Sequence, residues 1–161
     1  MTVSAMIGIE LGDGTVLSSY CHTDGEPALL GINLLESFTD YEYLFGAIQL
    51  GAARSWGDAR DACEANHSFG TPSRGVTLYY KRDLQYTSAG EALRSVAKRC
   101  EAVGYNSVTG FIERMFTGSI NYSYVLTLDN TWIVCDIANK QVDYDAEVTG
   151  AIVVPDYEYE V

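Results

Sequence analysis

The residues best suited to chemistry lie close together in residues 20–27, which read YCHTDGEP. A thiolate is a strong nucleophile, and a neighbouring histidine can take the proton from a thiol. Cys21 as thiolate with His22 as its base, beside Asp24, is therefore one hypothesis, and it would make the protein a small enzyme. Neighbouring residues of a strand point to opposite faces, which argues against this pairing. We favour the alternative, in which His22 and Asp24 form a turn through local hydrogen bonds and Cys21 is a small buried apolar group.

The backbone pattern predicts that these residues stand where a strand gives way to a turn and a helix. Residues 3–11 alternate apolar and polar side chains, residues 12–14 form a glycine-rich turn, and residues 15–22 return as a second strand. Asp24-Gly25 is a turn pair, and Pro27 fits the first position of a helix, where a missing N–H costs nothing. An N-terminal hairpin followed by a helix is therefore expected.

The rest of the chain adds further helices and strands. Two short helices are expected near residues 27–50, the second opened by a capping box from Thr39 to Glu42 and closed by Gly51. Beyond a loop-like stretch, the periodicities predict a strand, a helix and a hairpin, at residues 75–82, 88–103 and 120–135 respectively. The fold class is thus α+β, with a mainly antiparallel sheet of two hairpins plus a middle strand, covered by two to four helices.

Length and composition favour a single domain. The chain has 161 residues, of which 47% are hydrophobic, and this is enough for one well-buried core. We assign residues 1–136 to one α+β domain and residues 137–161 to an acidic extension that is partly strand-like or frayed. No apolar run approaches the roughly 20 residues of a membrane helix, and no signal peptide is apparent, so we expect a cytoplasmic protein without a membrane partner.

The cysteines do not predict a metal site or a disulfide framework. The four cysteines are widely spaced without a C-x-x-C pair, and only two histidines could complete a zinc shell. Free and mostly buried thiols are therefore expected, with no metal and no cofactor.

The formal charge of −12 is unevenly distributed and bears on the partner. Residues 1–73 carry a net charge of −8, residues 74–114 carry +3, and residues 115–161 carry −7. This balance argues against direct binding of nucleic acid, whose phosphates would meet an opposing field. An acidic, aromatic-rich surface can instead meet a basic surface on another protein, and the alternative is that the charge only keeps the protein soluble. The predicted partner-binding residues lie in the acidic aromatic tail: Asp156, Tyr157, Glu158, Tyr159 and Glu160.

The basic middle of the chain supports a different hypothesis, a nucleotide-binding site. Arginine can contact a phosphate in a bidentate manner, while an aromatic ring offers a stacking face. The candidate residues combine both kinds of side chain: Tyr79, Tyr80, Lys81, Arg82, Arg94, Lys98 and Arg99. A homo-oligomer built this way could sequester a nucleotide signal. The structural alternative is that these residues form the solvated face of an amphipathic helix and the exposed side of an edge strand.

The sequence also resembles a family of small proteins encoded by bacteriophages and prophages. The resemblance covers about the first 136 residues and rests on a corner motif with several shorter strings: Tyr20-Cys21-His22-x-Asp24-Gly25-x-Pro27, Gly31, Leu34-Leu35-Glu36, Thr39, Leu50-Gly51, Ser55-Trp56-Gly57, Tyr80-Lys81-Arg82-Asp83, Asp129, Trp132 and Asp136. Thr23 departs from the aromatic residue that often stands at that position. The resemblance implies an origin and transfers no catalytic residue.

Charge and resemblance together lead to one functional expectation. We expect a phage-encoded, non-catalytic accessory protein in the host cytoplasm that inhibits a host system, in particular immune defence, by binding a host protein through an acidic aromatic surface. An oligomeric sponge for a nucleotide immune signal and a small Cys/His-dependent enzyme are the alternatives.

Overall fold

The computed structural model describes residues 3–57, 77–80, 101–137 and 141–143. These residues form a mixed sheet with helices on both faces, so the chain is α+β as its periodicities predict. The strands are β1 Ala5–Glu10, β2 Val16–Cys21, β3 Ala53–Ser55, β4 Leu78–Tyr79, β5 Val103–Tyr105, β6 Tyr122–Leu126, β7 Trp132–Asp136 and β8 Gln141–Asp143. The helices are a π-helical turn Pro27–Gly31 that continues into α1 Ile32–Ser37, then α2 Tyr41–Gln49 and α3 Val108–Met115.

The sheet is built around β1. Its neighbours run in the order β4-β3-β2-β1-β6-β7-β8, and β5 pairs with β2 as well. The chain-adjacent pairs β1–β2 and β6–β7 are antiparallel, whereas β1 lies parallel to β6 and β2 lies parallel to β3. The sequence pattern did not predict these parallel pairings, because alternation of side chains identifies a strand but not its partner.

Strand alternation divides the interior into two cores. Ile7 and Ile9 of β1 face one core, which α1 and α2 cover. Met6 faces the other, which α3 covers. Gly8 lies on this second face, where an added Cβ would be 3.0 Å from Val16 Cγ1 and 3.3 Å from Phe111 Cζ. The glycine therefore allows α3 to approach the sheet closely.

The second predicted helix forms, with a small change at its start. Its cap is Asp40, whose carboxylate accepts a hydrogen bond from the Tyr43 N–H at 3.2 Å. The predicted cap, Thr39, is one residue too early. Asp40 is the cap, since it has the extended backbone that a cap requires. Gly51 follows the helix with φ of +92°, as a C-terminal glycine should.

Several boundaries differ from the sequence pattern. Val103 was predicted to end a helix, but it belongs to β5, where it lies opposite Ser18 and accepts a hydrogen bond from the Ser18 hydroxyl at 3.1 Å. This long-range pairing overrides the local helical pattern. The preceding part of that predicted helix lies outside the described residues. Within residues 77–80 the strand is confined to β4. Both α3 and β3 were missed, the latter within a predicted loop-like stretch.

Candidate functional site

Cys21 ends β2 and is completely buried in the core beneath α1 and α2. Its thiol donates to the carbonyl oxygen of Thr23, 3.3 Å away. Burial raises the pKa of the Cys21 thiol to about 12; the charges of Asp24 and Glu26 add to this, while hydrogen bonds with the backbone of Trp56 and Thr23 oppose it. The thiol therefore stays protonated at neutral pH, and a thiolate nucleophile does not form there.

His22 is paired with a tyrosine rather than with Cys21. Its Nδ1 lies 2.8 Å from the hydroxyl oxygen of Tyr20, and the two ring centroids are 5.8 Å apart. Tyr20 packs against the core on the α3 face, whereas Cys21 belongs to the opposite core. The strand thus separates the two groups that a Cys-His nucleophile would need in contact.

Asp24 and Gly25 form the turn and attach it to the first strand. Asp24 is exposed and has a φ of +59°, a conformation that aspartate tolerates better than most residues. The N–H of Gly25 donates to the carbonyl oxygen of Val3 at 3.0 Å, and its own carbonyl accepts from the Tyr124 hydroxyl at 2.7 Å. Burial raises the pKa of Tyr124 above its ordinary value, so the hydroxyl remains a donor. The turn therefore connects β2 to the start of β1 and to β6.

Glu26 begins the helical segment that follows the turn. Its carbonyl oxygen accepts hydrogen bonds from the N–H groups of Leu29 and Leu30 at 3.0 and 2.9 Å. Its side-chain Oε2 is buried without a hydrogen-bond partner among the described residues. Pro27 occupies the first helical position, as its fixed φ predicts. In the described structure, the main contacts of residues 20–27 fix the backbone of the turn between β2 and the first helical segment.

The predicted nucleotide site is described only at its first two residues. Tyr79 is completely buried, and its hydroxyl donates to the carbonyl oxygen of Ala47 at 2.8 Å. Its ring is thus part of the core and offers no face for stacking a ligand. Tyr80 is half-buried. The remaining candidates lie outside the described residues, as do those of the predicted partner-binding tail: Lys81, Arg82, Arg94, Lys98, Arg99, Asp156, Tyr157, Glu158, Tyr159 and Glu160.

Carboxylates gather at the end of the sheet where both hairpins turn. Because β1 and β6 are parallel neighbours, the β1–β2 turn and the β6–β7 turn leave the sheet at the same end. Glu10 links them, since its Oε1 accepts from the Leu128 N–H at 2.9 Å and its carbonyl accepts from the Tyr41 hydroxyl at 2.6 Å. We call the surface formed by Glu10, Asp13 and Asp129, with Glu42 next to Tyr41 in the first turn of α2, the hairpin end.

Two of these carboxylates have a pKa below the ordinary value for aspartate. Hydrogen bonds from the side chain and backbone of Thr15 keep the pKa of Asp13 below its ordinary value. Hydrogen bonds from Thr127 and Thr131 do the same for the pKa of Asp129. Both groups are fully exposed, and they remain ionised in more acidic solution than an ordinary aspartate.

An open groove of about 470 Å³ lies at the hairpin end. Its apolar lining comes from Val108, Leu128 and Ile133, and its charged lining comes from Glu10 and Asp129. Leu128 is 52% exposed, although it is a large apolar residue at the tip of a turn. The groove therefore combines an apolar contact with negative charge.

A second concave region lies beside α3 and contains residues that the sequence analysis did not select. It consists of two pockets of about 350 and 330 Å³ that share Tyr105 and Arg114. The sequence does contain a pattern that predicts α3, because four apolar residues recur at helical spacing: Val108, Phe111, Ile112 and Met115. This pattern places Arg114 at the border between the apolar and polar faces of the helix.

Comparisons with known proteins give no assignment. A scan against protein-family models, a search of curated proteins and a search of solved structures each found no match. Among the described residues, no group of three or more histidine, cysteine or acidic side chains could hold a metal ion. None of the helices within the described ranges is long and apolar enough to span a membrane.

Proposed function

We propose that this chain is a phage-encoded, non-catalytic accessory protein that inhibits a host immune-defence system by binding a basic surface of a host protein. The observation that carries the proposal is the hairpin end, where Glu10 and Asp129 line an open groove together with the exposed Leu128. The viral origin rests on the resemblance of the motif in residues 20–27 to phage and prophage proteins.

Charge complementarity supports a basic protein partner. The described residues include twelve acidic side chains, two arginines and no lysine. Opposite charges accelerate encounter and fix orientation, while an apolar contact at the centre of an interface contributes affinity. In this proposal Leu128 makes the apolar contact and the hairpin end attracts lysine and arginine side chains of the host protein.

The environment of the motif supports a role without catalysis. Cys21 is buried and has a raised pKa, and His22 is hydrogen-bonded to Tyr20 on the other side of the strand. Both residues are held by interactions that serve the fold. The inhibitory effect would then come from occupying the host protein's surface.

Neutralising the hairpin end should slow association with the host protein about tenfold at low salt, with little change in dissociation, because peripheral charges act mainly on encounter. The variant is the triple substitution Asp13→Asn, Glu42→Gln and Asp129→Asn. Asparagine keeps the oxygen that accepts the turn hydrogen bonds, so the fold should be retained. The measurement is surface-immobilised binding kinetics against the host protein retained from a lysate, at low and high salt.

A second triple variant provides a control with the same change in charge. Asp156→Asn, Glu158→Gln and Glu160→Gln neutralise the tail and leave the hairpin end intact. Each variant is also expressed in a host that carries a defence system and is challenged with a phage that this system restricts. Loss of protection for the phage with the hairpin-end variant alone supports the proposal. If the tail variant alone slows association, the tail is the interface and the hairpin end is not. If the unmutated protein leaves phage plating unchanged in every defended host, the proposed inhibition is wrong.

A further inference from the structure

We propose that the cleft beside α3 binds a small organic anion, with Arg114 holding its carboxylate or phosphate and the apolar floor of the cleft covering its body. This site is separate from the hairpin end, and the inference does not depend on the proposed function. Its residues come from β1, β5, α3 and the turn after α3.

The floor of the cleft is apolar and adaptable. Met6 and Met115 line it with Ile120, and the two methionines are only 8% and 6% exposed. Methionine side chains are flexible and polarisable, so they can adjust to an apolar or aromatic group. A body of this chemistry would cover the small part of each methionine that is still exposed.

Arg114 supplies the positive charge at the cleft. It is exposed in the last turn of α3, and none of the carboxylates in the described ranges forms an ion pair with it. An arginine at this position interacts favourably with the helix dipole, but that role needs no cleft beside the residue. In a chain with a formal charge of −12, an arginine that has no ion pair among the described residues and lines a cleft with apolar side chains is suited to an anionic group.

Tyr105 provides an oriented polar group beside Arg114. Its ring packs edge-on against Phe111 with centroids 5.2 Å apart, which restrains its position. Burial raises the pKa of the Tyr105 hydroxyl, while the charge of Arg114 and a side-chain hydrogen bond with Ser18 oppose the rise. The hydroxyl therefore remains a hydrogen-bond donor on a residue that lines both pockets together with Arg114.

The dimensions select the ligand class. Each pocket is near the lower end of the range of about 300–1,000 Å³ that is usual for small-molecule sites. One aromatic ring or short aliphatic chain with a single anionic group fits that size. A carboxylate and a phosphate share the recognition chemistry, and separate probes distinguish them.

The test uses the methionine methyl groups as reporters. The chain has three methionines, Met1, Met6 and Met115, of which the last two line the cleft. Protein labelled with ¹³C at the methionine methyl groups is titrated with phenyl phosphate and with benzoate and followed by NMR. Benzyl alcohol serves as the uncharged probe and inorganic phosphate as the anion without an apolar body. We expect the Met6 and Met115 signals to shift with both aromatic anions, and the larger response identifies the preferred anionic group.

Arg114→Met should weaken binding of phenyl phosphate about thirtyfold, because it removes a charge-assisted hydrogen bond but keeps an apolar side chain. Arg54→Met is the matched control, since it changes the net charge equally at an exposed site in β3. Tyr105→Phe should weaken binding by a smaller factor. An absence of methyl shifts, equal binding by Arg114→Met and the unmutated protein, or equal effects of phenyl phosphate and benzyl alcohol would overturn the proposal. So would inorganic phosphate shifting both signals as strongly as phenyl phosphate.

Discussion

Replacing Gly25 by alanine is expected to lower the free energy of unfolding by about 3 kcal/mol, at the upper end of the usual cost of overpacking. The added Cβ would lie 2.9 Å from Ala5 Cβ, 3.0 Å from the carbonyl carbon of Ser4 and 3.0 Å from the carbonyl oxygen of Val3. Two of these three atoms belong to the backbone, so no side-chain rotation relieves the contact. Moving the strand would also lengthen the hydrogen bond from Tyr124 to the Gly25 carbonyl.

Gly12→Ala is the control for the Gly25 substitution. Gly12 is exposed in the first hairpin turn, with no atom within 4 Å of an added Cβ. The free energy of unfolding of Gly12→Ala should therefore stay within about 0.5 kcal/mol of that of the unmutated protein. Thermal and urea denaturation measure both variants. Equal melting of Gly25→Ala and Gly12→Ala would show that the turn is not packed against the first strand.

In the folded protein, Cys21 should react with iodoacetamide about a thousandfold more slowly than in the unfolded chain, because the thiolate fraction falls as the pKa rises. Burial raises the pKa of Cys21 from 9.0 to about 12. The same applies to Cys135, which is buried in the opposite core with its pKa raised to about 12. Mass spectrometry of digested protein, after timed labelling with and without denaturant, measures each cysteine separately.

The same pKa change predicts how stability depends on pH. Above about pH 9 the unfolded chain loses the thiol protons that the folded chain retains, so the free energy of unfolding falls as pH rises from 9 towards 12. Fast labelling of Cys21 in the folded protein at neutral pH would contradict the burial argument. If Cys21→Ser also melted normally but lost its effect on phage plating, the Cys-His enzyme hypothesis would replace the present proposal.

Local patterns predicted the elements whose causes are local. The first hairpin, the helix starting at Pro27 and the glycine closing α2 follow from alternation, a fixed proline φ and a positive glycine φ. Val103 shows the limit of prediction from local patterns, because its place in β5 depends on pairing with Ser18, which is far away in the sequence. No property of residues near Val103 encodes that partner.

The candidate sites show the same division. Strand alternation predicted that Cys21 and His22 would be separated, and the structure separates them. The hairpin end could not be predicted, because it depends on β1 and β6 being parallel neighbours that bring two distant turns together. The cleft beside α3 likewise requires Met6 to meet Met115 across the fold.

The parallel pairing of β1 with β6 also constrains how the protein is made. The carbonyl of Ser4 accepts from the N–H of Asn121, and Ile9 pairs with Leu126, so β1 must wait for its second neighbour until residue 126 has left the ribosome. Contacts this distant in sequence slow folding and leave a strand edge exposed meanwhile. A premature stop before β6 would therefore remove a neighbour of the central strand, and the shortened chain would be a substrate for chaperones and proteases rather than a partly active protein.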